Sequence, residues 1–290
     1  MGHQHHRRTS AALRRLGLVA LVGALAALAG CSAETQQEWQ NLAMPDPATE
    51  QAQHIFDLWR GAWIAALATG VLVWGLIFWV VVRYRRRSDD EIPVQTRYNL
   101  PLEIFYTIAP IVMVVVFFYH TVNVQNAVLE DTEEDNTIEV VGQQWQWTFN
   151  YRLEGDEGPV VWTSGFGGNI PTLVLPVGET TQFRLHSPDV IHNLGIPGFL
   201  MRMDVIPGRV NFYEVTPTTE GIYAGKCYEL CGTYHSRMVF NVEVVSREEY
   251  DAHLQELEDQ GNYAEEPLLG GSHANEQEGL GADDDEGESE

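Results

Sequence analysis

Lysine is almost missing from this chain: Lys226 is the only one among 290 residues, and 17 Lys and Arg together face 41 Asp and Glu. A formal net charge of −24 offers no basic stripe for a nucleic-acid backbone, so that class of partner is excluded. Cysteine is nearly as scarce, with only Cys31, Cys227 and Cys231. No Cys-x-x-Cys-His run occurs, which excludes a fused domain carrying covalently attached haem. No internal repeat is present, so a solenoid or propeller is excluded as well.

Charge is also absent from one long stretch, the 22 residues from Gly61 to Val82. At about 1.5 Å per residue this run reaches about 33 Å, enough to cross the hydrocarbon core. A second apolar run follows from Ile104 to Val124, with Pro110 near its start. Neighbouring helices or water can satisfy the carbonyl that such a proline leaves free. Between the runs lie Arg83, Arg85, Arg86, Arg87 and Arg97, and a short arginine-rich loop belongs on the cytoplasmic side. Everything after about residue 125 is therefore expected outside the cell.

The first thirty residues read as a processing signal. Arg7, Arg8, Arg14 and Arg15 precede an apolar run from Leu16 to Gly30, too short for a span and shaped like a secretory leader. Leu28-Ala29-Gly30-Cys31 resembles a bacterial lipobox, which makes Cys31 the expected lipidated residue and places it on the outer face. An ordinary signal peptide with an incidental cysteine is the alternative.

The expected organisation is a signal peptide over 1–30, an outer segment over 31–57 and a transmembrane hairpin over 58–124. A β domain follows over 125–250, and an acidic, largely disordered tail over 251–290. Residues 131–290 hold 31 Asp and Glu against seven Lys and Arg, so the whole net charge belongs to the outer part. That acidity suits a basic partner by electrostatic steering, and a salt-rich habitat explains it equally well. Strands are expected at Thr137–Val141, Trp145–Tyr151, Thr172–Pro176, Glu179–Leu185, Val210–Thr216 and Ser236–Val245, with Gly and Pro between them. Short strands at this spacing predict a sandwich or Greek-key barrel.

The densest chemistry is CYELCGTYHSRM, residues 227–238. It places two thiols, an imidazole and a thioether within one short loop, and His192 lies upstream. Cys-x3-Cys alone suits a loop disulfide as well as a metal site, and zinc also takes sulfur and nitrogen. His235 and Met238 shift the balance, because a thioether is a poor zinc ligand and a recognised weak copper ligand.

Taken with the hairpin, GQQWQW (142–147), DVIHN around His192 and DVIPGR (204–209), this loop resembles subunit II of the haem–copper cytochrome c oxidases over roughly residues 55–245. The resemblance implies a two-helix transmembrane hairpin followed by an all-β cupredoxin-like Greek-key barrel in a bacterial cell membrane. It implies a dinuclear copper centre bridged by Cys227 and Cys231, with His192 and His235 each binding one copper. Met238 and the backbone carbonyl of Glu229 would be the weak ligands. The Glu229 carboxylate matches a group that reaches a magnesium ion shared with subunit I. Trp145 matches the surface tryptophan that receives electrons from a c-type cytochrome, free or held in a supercomplex. Asp189, Glu154, Asp156 and Glu157 would belong to an acidic docking face, and Glu103 resembles a carboxylate at the mouth of a proton pathway. His186 is a competing imidazole, which the DVIH context disfavours. Tyr228 stands where the family often has a small residue, and Arg237 where it often has an aromatic one.

The implied activity is electron transfer from cytochrome to haem in subunit I, where oxygen is reduced with proton pumping. His120 is the only histidine within the two apolar runs, so this chain cannot itself hold the oxygen-reducing haem and copper. Alternatives are the dinuclear-copper subunit of a nitric oxide reductase, and a membrane-anchored copper storage or delivery protein.

Overall fold

A computed structural model describes residues 33–271 apart from 89, 156–157 and 166–167. The expected signal peptide, Cys31, Asp156, Glu157 and residues 272–290 lie outside the described residues. The described residues fall into two compact units divided between Pro45 and Asp46, the first holding the helix α1 (Ala33–Gln40).

The second unit begins with two long helices, α2 (Glu50–Arg83) and α3 (Leu100–Val128). Thr49 caps α2 by accepting the Ala52 N–H at 3.0 Å, and Glu50 in the first turn complements the helix dipole. Asn99 caps α3 by accepting from Leu102 N, with Pro101 in the first turn. Both helices are long and apolar enough to cross a membrane, with mean hydropathy of 2.3 and 2.1 in their most apolar windows and no buried side chain there.

The hairpin expected over 58–124 is longer at both ends. Its extra turns belong to the outer domain: Ala52 and Phe56 are buried, Glu50 N donates to Thr216 O, and the Gln51 side chain accepts Thr216 N. The charge-free run marked only the lipid-facing part, because these turns carry the polar groups that fasten the helix to the domain.

The domain is two mixed sheets face to face. One has the order β11-β3-β2-β1-β5-β8, from β1 (Asn136–Gln143), β2 (Gln146–Arg152), β3 (Val160–Gly165), β5 (Thr181–His186), β8 (Asn211–Val215) and β11 (Tyr263–Ala264). The other runs β4-β10-β9-β6-β7, from β4 (Thr172–Pro176), β6 (His192–Ile196), β7 (Met201–Val205), β9 (Gly221–Cys227) and β10 (Val239–Val245). The β1–β5 and β4–β10 pairs are parallel and the rest antiparallel. This is the expected cupredoxin-like architecture. Alternation on β2 sends Trp147, Phe149 and Tyr151 into the core. Phe240 from the opposite sheet meets Trp147 and Phe149 edge-on at 5.5 and 5.3 Å.

The tail expected from residue 251 is corrected over 251–271. Ser246 and Glu249 form a capping box that starts α4 (Arg247–Asp259), and Tyr250 and Leu257 are buried beneath it. The chain then adds β11 to the sheet edge and crosses β2 and β1. Asn150, fully buried, exchanges hydrogen bonds with both backbone groups of Leu268, and Gln143 does the same with Gly271. The composition of this strap is polar, but backbone pairing and two amide side chains hold it.

Candidate metal centre

Strand pairing builds the site. His192 opens β6, and β6 pairs with the end of β9 so that Leu194 faces Cys227. Cys227 N donates to Met238 O at 2.9 Å, which closes the ligand loop on itself where β9 ends and β10 begins. Within the loop, Gly232 has φ +130 and lies against the Trp145 ring, 2.9 Å from where a Cβ would stand, so a larger residue is excluded. A single 3-10 turn over His235–Arg237 then delivers Met238 inward.

The side chains named from the sequence come together. The Cys227 and Cys231 sulfurs stand 4.0 Å apart and unbonded. His192 Nδ1 is 4.0 Å from Cys227 Sγ, His235 Nδ1 is 3.6 Å from Cys231 Sγ, and Met238 Sδ is 3.8 Å from Cys231 Sγ. The Glu229 carbonyl oxygen lies 3.2 Å from Cys227 Sγ, while the Glu229 side chain is exposed. His192, Cys227, Cys231 and Met238 are buried. Two donors that share a metal, each bonded at about 2.0–2.3 Å, stand at most about 4.5 Å apart, so these gaps suit shared ligation. Thiolate, thioether and imidazole together favour copper over harder ions.

Asp189 orients the first histidine. Its Oδ1 accepts from His192 Nε2 at 2.9 Å, which leaves Nδ1 free to face the sulfurs. Its carboxylate also accepts the N–H groups of Gln144 and Val190 at 2.7 and 2.6 Å. Burial alone would raise the Asp189 pKa, but these donors hold it below the usual carboxylate range. Gln144 in turn donates its side chain to Cys231 O. The β1–β2 turn is thereby tied to both His192 and the ligand loop.

Electrostatics separate the two thiols. Burial pushes the Cys227 thiol up, yet His192 and the backbone of Asn193 and Glu229 outweigh it and hold its pKa below the usual thiol value. Burial and the neighbouring Cys227 push Cys231 up to about 12. Metal binding at this pair must therefore release a proton.

Trp145 is partly buried and stacks edge-on against Tyr234 at 5.0 Å, beside the ligand loop. Trp147 is core, as expected, and meets the His192 ring edge-on at 6.3 Å. His186 does not compete for the site: its Nε2 lies 2.6 Å from Glu139 Oε2, in a buried cluster with Arg152. Glu154 follows the far end of β2, about 20 Å of strand from Trp145. Glu103 accepts the Asn99 N–H at 3.0 Å, a helix-capping contact. The orienting role of Asp189 escaped the sequence reading, although an acid three residues before the histidine was its visible trace. Gln144 and the strap left no comparable signal.

The family described as cytochrome c oxidase subunit II matches this chain twice, its transmembrane domain over residues 37–123 and its periplasmic domain over 169–245. A probable cytochrome c oxidase subunit 2 of Streptomyces avermitilis is 43% identical over 286 residues, covering 86% of this chain and 89% of that protein. Cytochrome c oxidase subunit 2 of Mycobacterium tuberculosis is 36% identical over 309 residues, covering 87% and 84%. Among solved structures, the periplasmic domain of subunit II of cytochrome oxidase from Bradyrhizobium japonicum is 28% identical, covers 44% of this chain and 97% of that one, and has a TM-score of 0.40. With a matching hairpin, a matching outer domain and a relative aligned along most of its length, the chain belongs to the cytochrome c oxidase subunit II family.

Proposed function

We propose that this chain is the electron-accepting subunit of an aerobic cytochrome c oxidase, anchored in a bacterial cell membrane with its metal domain on the outer side. The observation that carries this reading is the convergence of six donors from His192, Cys227, Glu229, Cys231, His235 and Met238 at one loop, with His192, Cys227, Cys231 and Met238 buried. Two shared thiolates, one imidazole each and one weak ligand each give two metals four ligands apiece, so the donor count supports a copper pair. When bound, such a pair supplies a one-electron carrier whose charge is spread over both metals.

The residues around it keep the ligands still, which favours fast transfer. Asp189 fixes the His192 ring, Gln144 holds the Cys231 carbonyl, and the Cys227–Met238 backbone bond closes the loop. Trp145, stacked on Tyr234 beside the loop, is where an electron from a c-type cytochrome would arrive. The exposed Glu229 carboxylate would share a magnesium ion with the catalytic subunit, whose haem takes the electron onward. Asp204, which accepts from Asn193 Nδ2 at 2.7 Å, and Arg209 would lie along the same contact.

The test is copper analysis and rapid-mixing reduction of the purified complex by a c-type cytochrome. Two coppers per chain, and reduction slowed in Trp145→Ala with copper content unchanged, are expected. One copper per chain, or unaltered kinetics in that variant, would count against the pair and the arrival point respectively.

A further inference from the structure

Trp147 is wholly buried, and it meets the metal centre from the core side at two separate ligands. On one flank its ring faces the His192 ring edge-on, with centroids 6.3 Å apart. On the other its indole Nε1–H donates to the Met238 carbonyl oxygen at 3.4 Å. That same oxygen accepts the Cys227 N–H at 2.9 Å, so one carbonyl is held by two donors. Strand register explains the close approach. Gly142 on β1 is the cross-strand partner of Trp147 on β2. A Cβ on Gly142 would stand 3.0 Å from the Trp147 ring and 3.2 Å from His192 Cβ, so the missing side chain is what lets the two rings meet there. Two residues along the same strand, Phe149 fills the core with no polar side-chain atom. A buried indole N–H must instead find an acceptor, and it finds the backbone of Met238.

We propose that Trp147 is a positioning residue: its indole sets where Met238 stands relative to His192, and so fixes the weak thioether contact that tunes the reduction potential of the copper pair. The inference rests on the dinuclear-copper reading above. His192 opens β6 and Met238 immediately precedes β10, and these strands are not neighbours, because β9 lies between them in the sheet. Trp147, reaching across from the opposite sheet, spans that gap. A long, weak thioether bond cannot place its own side chain, so the surrounding protein must do it. Met238 is buried, with Sδ 3.8 Å from Cys231 Sγ, and its backbone is the part that Trp147 grips. Donation from a thioether favours the oxidised metal over the reduced one. A Met238 that recedes therefore raises the potential, while the thiolates and imidazoles stay in place.

The test is a redox titration and an electron paramagnetic resonance spectrum of the copper-loaded, full-length protein in detergent, beside hydrogen exchange of the metal-free protein. W147F keeps a ring in place and deletes the indole N–H. Its potential should rise and its copper hyperfine splitting should change, with copper per chain as in the wild type. In metal-free W147F the Cys227 amide should exchange about twofold to fivefold faster, the worth of one long hydrogen bond. F149L, a core substitution on the same strand, should loosen the domain yet keep the wild-type potential and spectrum. A W147F protein with the wild-type potential and spectrum would overturn the proposal. So would an F149L protein whose potential shifts as far as that of W147F, which would make Trp147 core filling and nothing more. A wild-type protein holding one copper per chain would sink the dinuclear reading instead. The Cys227 amide of metal-free W147F would then decide the positioning role, and unchanged exchange there would overturn it.

Discussion

The hairpin and the β domain use the same kinds of side chain in opposite ways. Trp74, Phe78, Trp79 and Phe118 on α2 and α3 are 60–69% exposed, whereas Trp147, Phe149, Phe183 and Phe240 of the domain are at most 1% exposed. The domain carries its own core, and its stability comes from burial within one chain. The helices leave a broad apolar surface that lipid or neighbouring helices must cover. A rigid, self-supporting domain can therefore hold ligands in place, while the hairpin provides anchorage and orientation.

Substitutions of equal size should expose that contrast most strongly. Phe240→Ala removes a ring packed between Trp147 and Phe149 and should destabilise the domain by about 3–5 kcal/mol. Phe78→Ala on the hairpin should change the domain's unfolding by less than about 0.5 kcal/mol. Chemical denaturation of the detergent-solubilised protein, followed by tryptophan fluorescence, would measure both. Equal effects would show that the two regions unfold as one unit.

Next in size is the buried cluster around Glu139. Its carboxylate lies 2.8 Å from Arg152 and 2.6 Å from His186. Burial opposes ionisation there, but those partners hold the Glu139 pKa below its usual value. A depressed carboxylate contributes stability that is full above its unfolded pKa and is lost as pH falls through the folded one. The domain should therefore weaken below about pH 4.5. Glu139→Gln should be less stable at neutral pH by about 3 kcal/mol, with a flatter acid limb. An unchanged acid limb in that variant would remove Glu139 from the account.

A smaller effect should come from the strap. Asn150→Leu removes both hydrogen bonds to Leu268 and should cost about 1–2 kcal/mol. Hydrogen exchange at Leu268 should rise while exchange at Phe240 stays slow. Loss of protection at both positions would mean that the strap is part of the core.

The ligand loop was legible in the sequence because five of its six donors fall within twelve residues, where local chain geometry alone brings them close. The hairpin was legible because lipid tolerates no charge and the charges therefore stop at its edges. The short-strand pattern predicted a sandwich or Greek-key barrel, and the family resemblance supplied its cupredoxin-like form. β6 and β9 were not read as strands: HNLGI and GIYAGKC are short or glycine-rich and lack clean alternation. The strap was hidden because Asn150 and Leu268 are 118 residues apart, and no local pattern announces an amide side chain that pairs with a distant backbone. Asp189 was read as a surface acid for the same reason, since its worth lies in contacts with Gln144 and His192.

The most direct measurement is the electron paramagnetic resonance spectrum of the copper-loaded protein beside its Cys231→Ser variant. Hyperfine structure from one unpaired electron shared equally by two copper nuclei, lost in the variant, is expected. A wild-type spectrum from a single copper nucleus would contradict the bridged pair and the electron-accepting role built on it.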